Sequence, residues 1–294
     1  MSKNFVWAFD PHMQDKLVSK HLSEILNLLA VKTRATIKPV YVVTPIEMNL
    51  PEFVRREVLA ALRKVKVRGI QKPHLIFDRS GLTITGAVKC LNAFATKAKT
   101  KAIVVGTHSR SGIKRFFLGS FAESLLMYSK SAVILVGPKT KKQVGIKRIL
   151  FATDLSKESK KSFKELLSFA KEIGAELQIF HALQTMSYFA NFFDNPAGAQ
   201  EAYYLAEALK DQEKASIKEL KKLEIFSRAS GVKARSQIER GVDSVGDSIL
   251  RAGKDFKADF IAVGTQRGPV RASLGSVARF IVRKSVLPVW VAPR

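Results

Sequence analysis

Lys101–Pro138, KAIVVGTHSRSGIKRFFLGSFAESLLMYSKSAVILVGP, is the stretch from which the fold can be read. Ala102 to Val105 is an apolar, β-branched run of the length of a buried strand. Gly106 ends it, and a polar loop carrying Arg110, Lys114 and Arg115 leads to Gly119 and Ser120. Phe121, Leu125 and Tyr128 then recur at helical spacing, and Ala132 to Val136 reads as a second buried strand. Strand, small-residue loop and helix start are what an anion site requires, because free backbone N–H groups and the positive end of the helix dipole converge there.

Working outward, the same alternation covers the chain. Phe5–Phe9 reads as a strand ending at Asp10, and a helix follows over about Gln14–Ala30. Strands at Ile37–Val43 and His74–Phe77 flank a helix over Pro51–Val65 whose Phe53, Val58, Leu59 and Leu62 are expected to point inward. Thr83–Lys97 completes a βαβαβαβαβ order, with crossovers long enough for parallel pairing.

After a basic linker at 141–145 the pattern restarts. Arg148–Ala152 is a strand ending near Asp154, and Ser156 caps a helix that stops at Gly174. Strands at Leu177–Ala182, Ala234–Ile238, Asp259–Val263 and Leu287–Val291 alternate with helices, including one over Lys210–Ser230 with Ile217, Leu220 and Leu223 in register. NFVWAFD aligns with KRILFATD, AIVVGTHSRSGIKRFFLGS with FIAVGTQRGPVRASLGS, and SAVILVGP with VLPVWVAP. This internal duplication predicts two α/β domains, 1–140 and 146–294, each a doubly wound five-stranded parallel sheet with helices on both faces. The open strands 132–136 and 287–291 are candidates for pairing the halves across a pseudo-twofold axis, or for building a homodimer.

Composition narrows the function classes. No apolar run approaches the roughly 20 residues of a membrane span, and the N-terminus enters a strand too early for a signal peptide. The single cysteine, Cys90, excludes an internal disulfide and fits a cytoplasmic protein. The five histidines show no metal-ligand spacing, and no Ser–His–Asp or Cys–His arrangement stands out. The net charge of +25 is uneven: residues 1–142 hold 25 basic and 8 acidic side chains, residues 143–294 hold 25 and 17. A field of that sign favours nucleotides, nucleic acid or another acidic partner. Thr185–Tyr204, with six aromatics around a Pro/Gly turn, is expected to be a lid, a loop packed on its own domain, or a dimer contact.

With the duplicate in view, the chain resembles the tandem form of the universal stress protein family. The resemblance rests on the first-strand aspartate, the hydrophobic-GT loop opening, the LGS at the next helix start and the final strand ending near proline. It implies a Rossmann-like fold, and possible ATP or AMP binding through G-x2-G-x9-G-[S/T], with Mg2+ accompanying ATP. In the first half Gly106, Gly119 and Ser120 match that motif, while Ser109 replaces its middle glycine. The resemblance places Asp10 and Val42 near base or ribose, Val105 beside the ribose, Ser120 on the phosphates, and Lys114 nearby as added charge. In the second half Asp154, Ala182 and Val263 take the base and ribose positions, with Gly264, Gly275 and Ser276 in the loop. Arg267 stands where a glycine belongs and the spacer is seven residues instead of nine, so this site is expected to be degenerate. No second acid or base recurs at both strand ends, so the implied role is nucleotide-dependent binding or signalling rather than catalysis.

Overall fold

Two strands that each end a half, β5 (Ala132–Val136) and β10 (Val289–Val291), lie side by side and antiparallel. Val289 pairs with Leu135, Trp290 with Ile134, and Val291 with Val133. Val105 pairs with Leu135 as its counterpart Val263 pairs with Val291, so Ile134 and Trp290 are structurally equivalent, one residue away from the sequence alignment of these strands, and a pseudo-twofold axis passes through that pair. The computed structural model describes residues 4–13, 15–43, 47–77, 83–107, 120–183, 198–240, 244–264 and 275–292.

Each half supplies five parallel strands. The first consists of β1 (Asn4–Ala8), β2 (Thr36–Val43), β3 (His74–Phe77), β4 (Ala102–Gly106) and β5, and the second of β6 (Arg148–Ala152), β7 (Glu176–Ala182), β8 (Ala234–Glu239), β9 (Phe260–Val263) and β10. Joined at the axis, they form one ten-stranded sheet of order β3-β2-β1-β4-β5-β10-β9-β6-β7-β8. The duplicated five-stranded halves are as the sequence predicts, but they are fused. Both C-terminal strands have neighbours on each side, so pairing within the chain removes them as a route to a homodimer.

Helices cover both faces. On one lie α1 (Lys16–Thr33), α2 (Pro51–Arg63), α5 (Lys157–Ile173) and α6 (Gly198–Ala229), and on the other α3 (Ile84–Lys97), α4 (Ser120–Tyr128), α7 (Val245–Asp255) and α8 (Ser276–Lys284). The strands serve two cores by simple alternation: Phe5 and Trp7 face one layer, Val6 and Ala8 the other. This explains why they read as continuous apolar runs.

Local signals are obeyed where they are strong. Ser156 Oγ accepts from Ser159 N at 3.1 Å to cap α5, and Gly174 closes that helix at φ 71°. The phases of two helices differ from expectation. In α2 it is Val54 and Val58 that are buried, while Phe53 and Leu59 face solvent, and Leu62 is half-buried. In α6 Leu220 is buried but Ile217 is exposed, and the helix starts at Gly198, twelve residues before the expected Lys210. Of the 185–204 segment, residues 185–197 lie outside the described residues; the remainder is the first turns of α6, with Tyr203 and Tyr204 exposed.

The axis also carries a charge pair. Glu123 on α4 and Arg279 on α8 are equivalent positions, and they meet at 3.1 Å across the axis. Identical copies would set like charges together here, whereas the two halves carry opposite ones. Arg279→Glu, which sets two carboxylates together, is expected to lower unfolding stability by about 1 kcal/mol, and the exchange Glu123→Arg/Arg279→Glu to restore it. Denaturant unfolding of these two variants and of Glu123→Arg, against the wild type, measures this coupling.

Candidate functional site

Parallel strands end together, and the loops leaving their carboxyl ends diverge to opposite faces, which opens a crevice. In the second half this crevice is a cleft of ≈ 680 Å³. Its floor is the ends of three strands: Ala152–Asp154 after β6, Ala182 in β7, and Val263–Gly264 after β9. Its walls are the N-terminal turns of α7 and α8, with Leu209 and Gln212 of α6 reaching over from the side.

The turn after β6 is held by its own side chains. Asp154 Oδ1 accepts from Ser156 N at 3.1 Å and from Ser156 Oγ at 2.7 Å. Thr153 Oγ1 lies 2.8 Å from Ser159 Oγ and accepts from Leu155 N at 3.0 Å. This supports Leu155 in its left-handed conformation, φ 62°. His181 Nδ1 lies 2.8 Å from the carbonyl oxygen of Thr153. A carbonyl only accepts, so Nδ1 carries a proton, and in the neutral tautomer of the ring Nε2 is the acceptor. His181 is buried and lines the cleft.

The other wall has two functional surfaces. Gly275 is the N-cap of α8 and offers no side-chain cap, leaving the first-turn N–H groups of α8 without one. Ser276 begins that helix. In the same helix Phe280 packs against Gly246 of α7, where a Cβ would meet the ring at 2.3 Å. Glycine is required at 246 to seat the ring. Phe280 aligns with Ser124 of the first half, so this apolar wall belongs to one copy only.

In the first half the described residues show the strand-end part of the site. Asp10 Oδ1 accepts from His12 N at 2.9 Å, the same turn that Asp154 makes. Both aspartates therefore act as turn carboxylates at their strand ends. Val42 lies in β2, Val105 and Gly106 end β4, and Ser120 starts α4. Ser109, Lys114 and Gly119 lie outside the described residues, as do His108 and the second loop's Arg267. Tyr41, the counterpart of His181, donates to Glu47 Oε1 at 2.7 Å. Burial first, and then the Glu47 carboxylate, push its hydroxyl pKa up. The strands of the two halves run antiparallel, so the two strand-end sites open at opposite edges of the sheet.

Sequence reading named Asp154, Ala182, Val263, Gly264, Gly275 and Ser276, and the fold brings all six to this one cleft. It missed His181, Ser159, Gln212 and Phe280. Phe280 was discoverable from comparison of the copies, because a large ring replaces a serine beside an otherwise matching helix start. Gln212 carried no local signal.

These features define a tandem doubly wound α/β protein with its crevices at the carboxyl edges of the strands. The family model described as the universal stress protein family matches residues 1–137 and again 145–293, and the chain belongs to that family. A universal stress protein of Methanocaldococcus jannaschii is 30% identical over 151 residues, covering 50% of this chain and 82% of that protein. The crystal structure of a universal stress protein from Archaeoglobus fulgidus is similar over 100% of this chain and 99% of that one, with TM-score 0.62 and 20% identity. A functionally unknown protein from Pseudomonas aeruginosa has the same fold over 99% of this chain and 92% of its own, with TM-score 0.63 and 15% identity. No described helix is long and apolar enough to cross a membrane.

The two loop-opening glycines differ in what surrounds them. A Cβ at Gly106 would lie 2.8 Å from Met13 Cε and 3.1 Å from Val18 Cγ1. Met13 can swing away, but Val18 is β-branched within a helix and is stiff. At Gly264 the nearest atom would be Ser159 Oγ at 3.6 Å, an ordinary contact. Gly106→Ala is therefore expected to cost about 1 kcal/mol of stability through overpacking. Gly264→Ala is expected to change stability by less than about 0.5 kcal/mol. Thermal unfolding of the two variants tests the difference.

Proposed function

We propose that this chain is a cytoplasmic nucleotide-responsive protein that binds ATP or AMP and acts through binding or signalling rather than rapid turnover. The observation that carries the reading is the cleft at the carboxyl edge of the second half. Its ≈ 680 Å³ falls within the range of about 300–1,000 Å³ usual for small-molecule sites. In this reading the base and ribose lie over Ala182, Val263 and Asp154, with Phe280 as an apolar wall. The phosphates lie at the N-terminus of α8, on the backbone of Gly275 and Ser276, where uncapped N–H groups and the helix dipole favour an anion. His181 offers Nε2 as a fixed acceptor, suited to an amino or hydroxyl group.

The first half holds the counterpart site in the same proposal. Asp10, Val42 and Val105 take the base and ribose, and Gly106, Ser109, Lys114, Gly119 and Ser120 take the phosphates. When ATP is the ligand, Mg2+ accompanies the phosphates. The longer first loop suits a triphosphate. The second, two residues shorter and containing Pro269, suits fewer phosphates. Two sites at opposite edges of one sheet would let the halves respond to different nucleotides.

Isothermal titration with ATP, ADP and AMP, each with Mg2+, tests this on wild type, Gly119→Val and Gly264→Val. Each variant is expected to lose the heat of one site and keep that of the other. Absence of heat from all three nucleotides with the wild type would overturn the proposal. ATP turnover of several per second would overturn its second part.

A further inference from the structure

The two halves treat their basic side chains differently. Among the described residues, eight lysines and arginines of the second half have a carboxylate within ion-pair distance. In the first half Lys101 alone does, and its partner Glu172 belongs to the second. The unpaired charge is concentrated. Between Pro51 and Phe77 there are seven basic residues against Glu52 and Glu57. Arg55, Arg56, Arg63 and Lys64 lie on α2 or at its end, and Lys66, Arg68 and Lys72 lie on the segment that leads to β3. All seven are exposed, and none has an ion-pair partner among the described residues.

This is an ordered surface. The Asn27 amide of α1 grips the segment from both sides, donating to Lys66 O at 2.7 Å and accepting from Arg68 N at 2.7 Å. Ile37 N donates to Gly69 O at 2.9 Å, and Gln71 N to Ile37 O at 2.8 Å, so the segment runs along β2 before β3 begins. Between it and the end of α1 is an open groove of ≈ 430 Å³, bordered by Asn27, Val31, Lys66 and Arg68.

We propose that this end of the first half docks nucleic acid, holding the phosphodiester backbone without reading its sequence. Charge complementarity selects the partner: exposed guanidinium and ammonium groups on a held backbone, with no carboxylate in ion-pair distance among the described residues, match a row of phosphates. A lipid surface would call for a continuous apolar face, which α2 lacks, since Arg55, Arg56 and Glu57 interrupt it. The surface is distinct from both strand-end sites, and the inference does not depend on nucleotide binding there.

The test is fluorescence anisotropy with a labelled oligothymidylate of about 20 nucleotides on the full chain, read between about 50 and 200 mM salt. Wild-type binding is expected to weaken steeply with salt. Lys66→Gln/Arg68→Gln/Lys72→Gln is expected to bind at least about tenfold more weakly at low salt, with a log–log slope shallower by about 2. Lys214→Gln/Lys221→Gln/Lys222→Gln removes the same charge from paired residues of α6 and is expected to stay within about twofold of wild type. No wild-type binding at the lowest salt would overturn the proposal. So would an equal loss in the α6 variant, or a polyglutamate of matching charge displacing the oligonucleotide at lower concentration. Thermal unfolding of both triple variants confirms that they are folded.

Discussion

The antiparallel contact of β5 with β10 is the constraint on which the rest of the structure depends. A five-stranded parallel sheet leaves its last strand with unpaired N–H and C=O groups and one uncovered flank. Here each half covers the other's flank, with Trp290 against Ile134 on the axis and the Glu123–Arg279 pair beside it. The pairing is isologous in geometry but no longer in sequence, since the charges on either side of the axis now differ. It also fixes the relation between the two strand-end sites. Strands that run opposite ways across the axis must open at opposite edges of the sheet.

Among the described residues the two copies differ where the strands end. In the second half the turn after β6 is short and closed by Thr153, Asp154, Ser156 and Ser159, and a cleft remains open above it. In the first half Met13 reaches across to Gly106, and Tyr41 is tied to Glu47. The same backbone plan thus carries a histidine and a phenylalanine in one copy where the other has a tyrosine and a serine. A glycine in the same motif position can therefore have different causes. Gly106 is required by packing, whereas Gly264 has room for a side chain, so only at the latter does the residue point to what approaches from outside.

Charge follows the same division. The second half neutralises its long α6 with internal pairs, while the first leaves the basic end of α2 and the segment after it uncompensated. One copy has become a self-contained surface and the other a positive one, on the same scaffold.

Much of this was legible in the sequence. Strand positions followed from β-branched apolar runs, because a strand buried on both faces needs no polar alternation, and His74–Phe77, 132–136 and 148–152 have the expected bounds. The caps at Ser156 and Gly174 were readable because local backbone chemistry decides them. The phase of α2 was not. Phe53 and Val54 are adjacent and both apolar, and only the position of the sheet decides which is buried. Nor was the start of α6, since Pro and Gly near residue 197 obscure the helical period. Repetition, element order and the residues at the strand ends are determined by the chain alone. The fusion into one sheet, the seating of Phe280 on Gly246 and the gathering of His181 and Gln212 at one cleft were decided by tertiary structure, because each depends on residues far apart in the chain meeting in space.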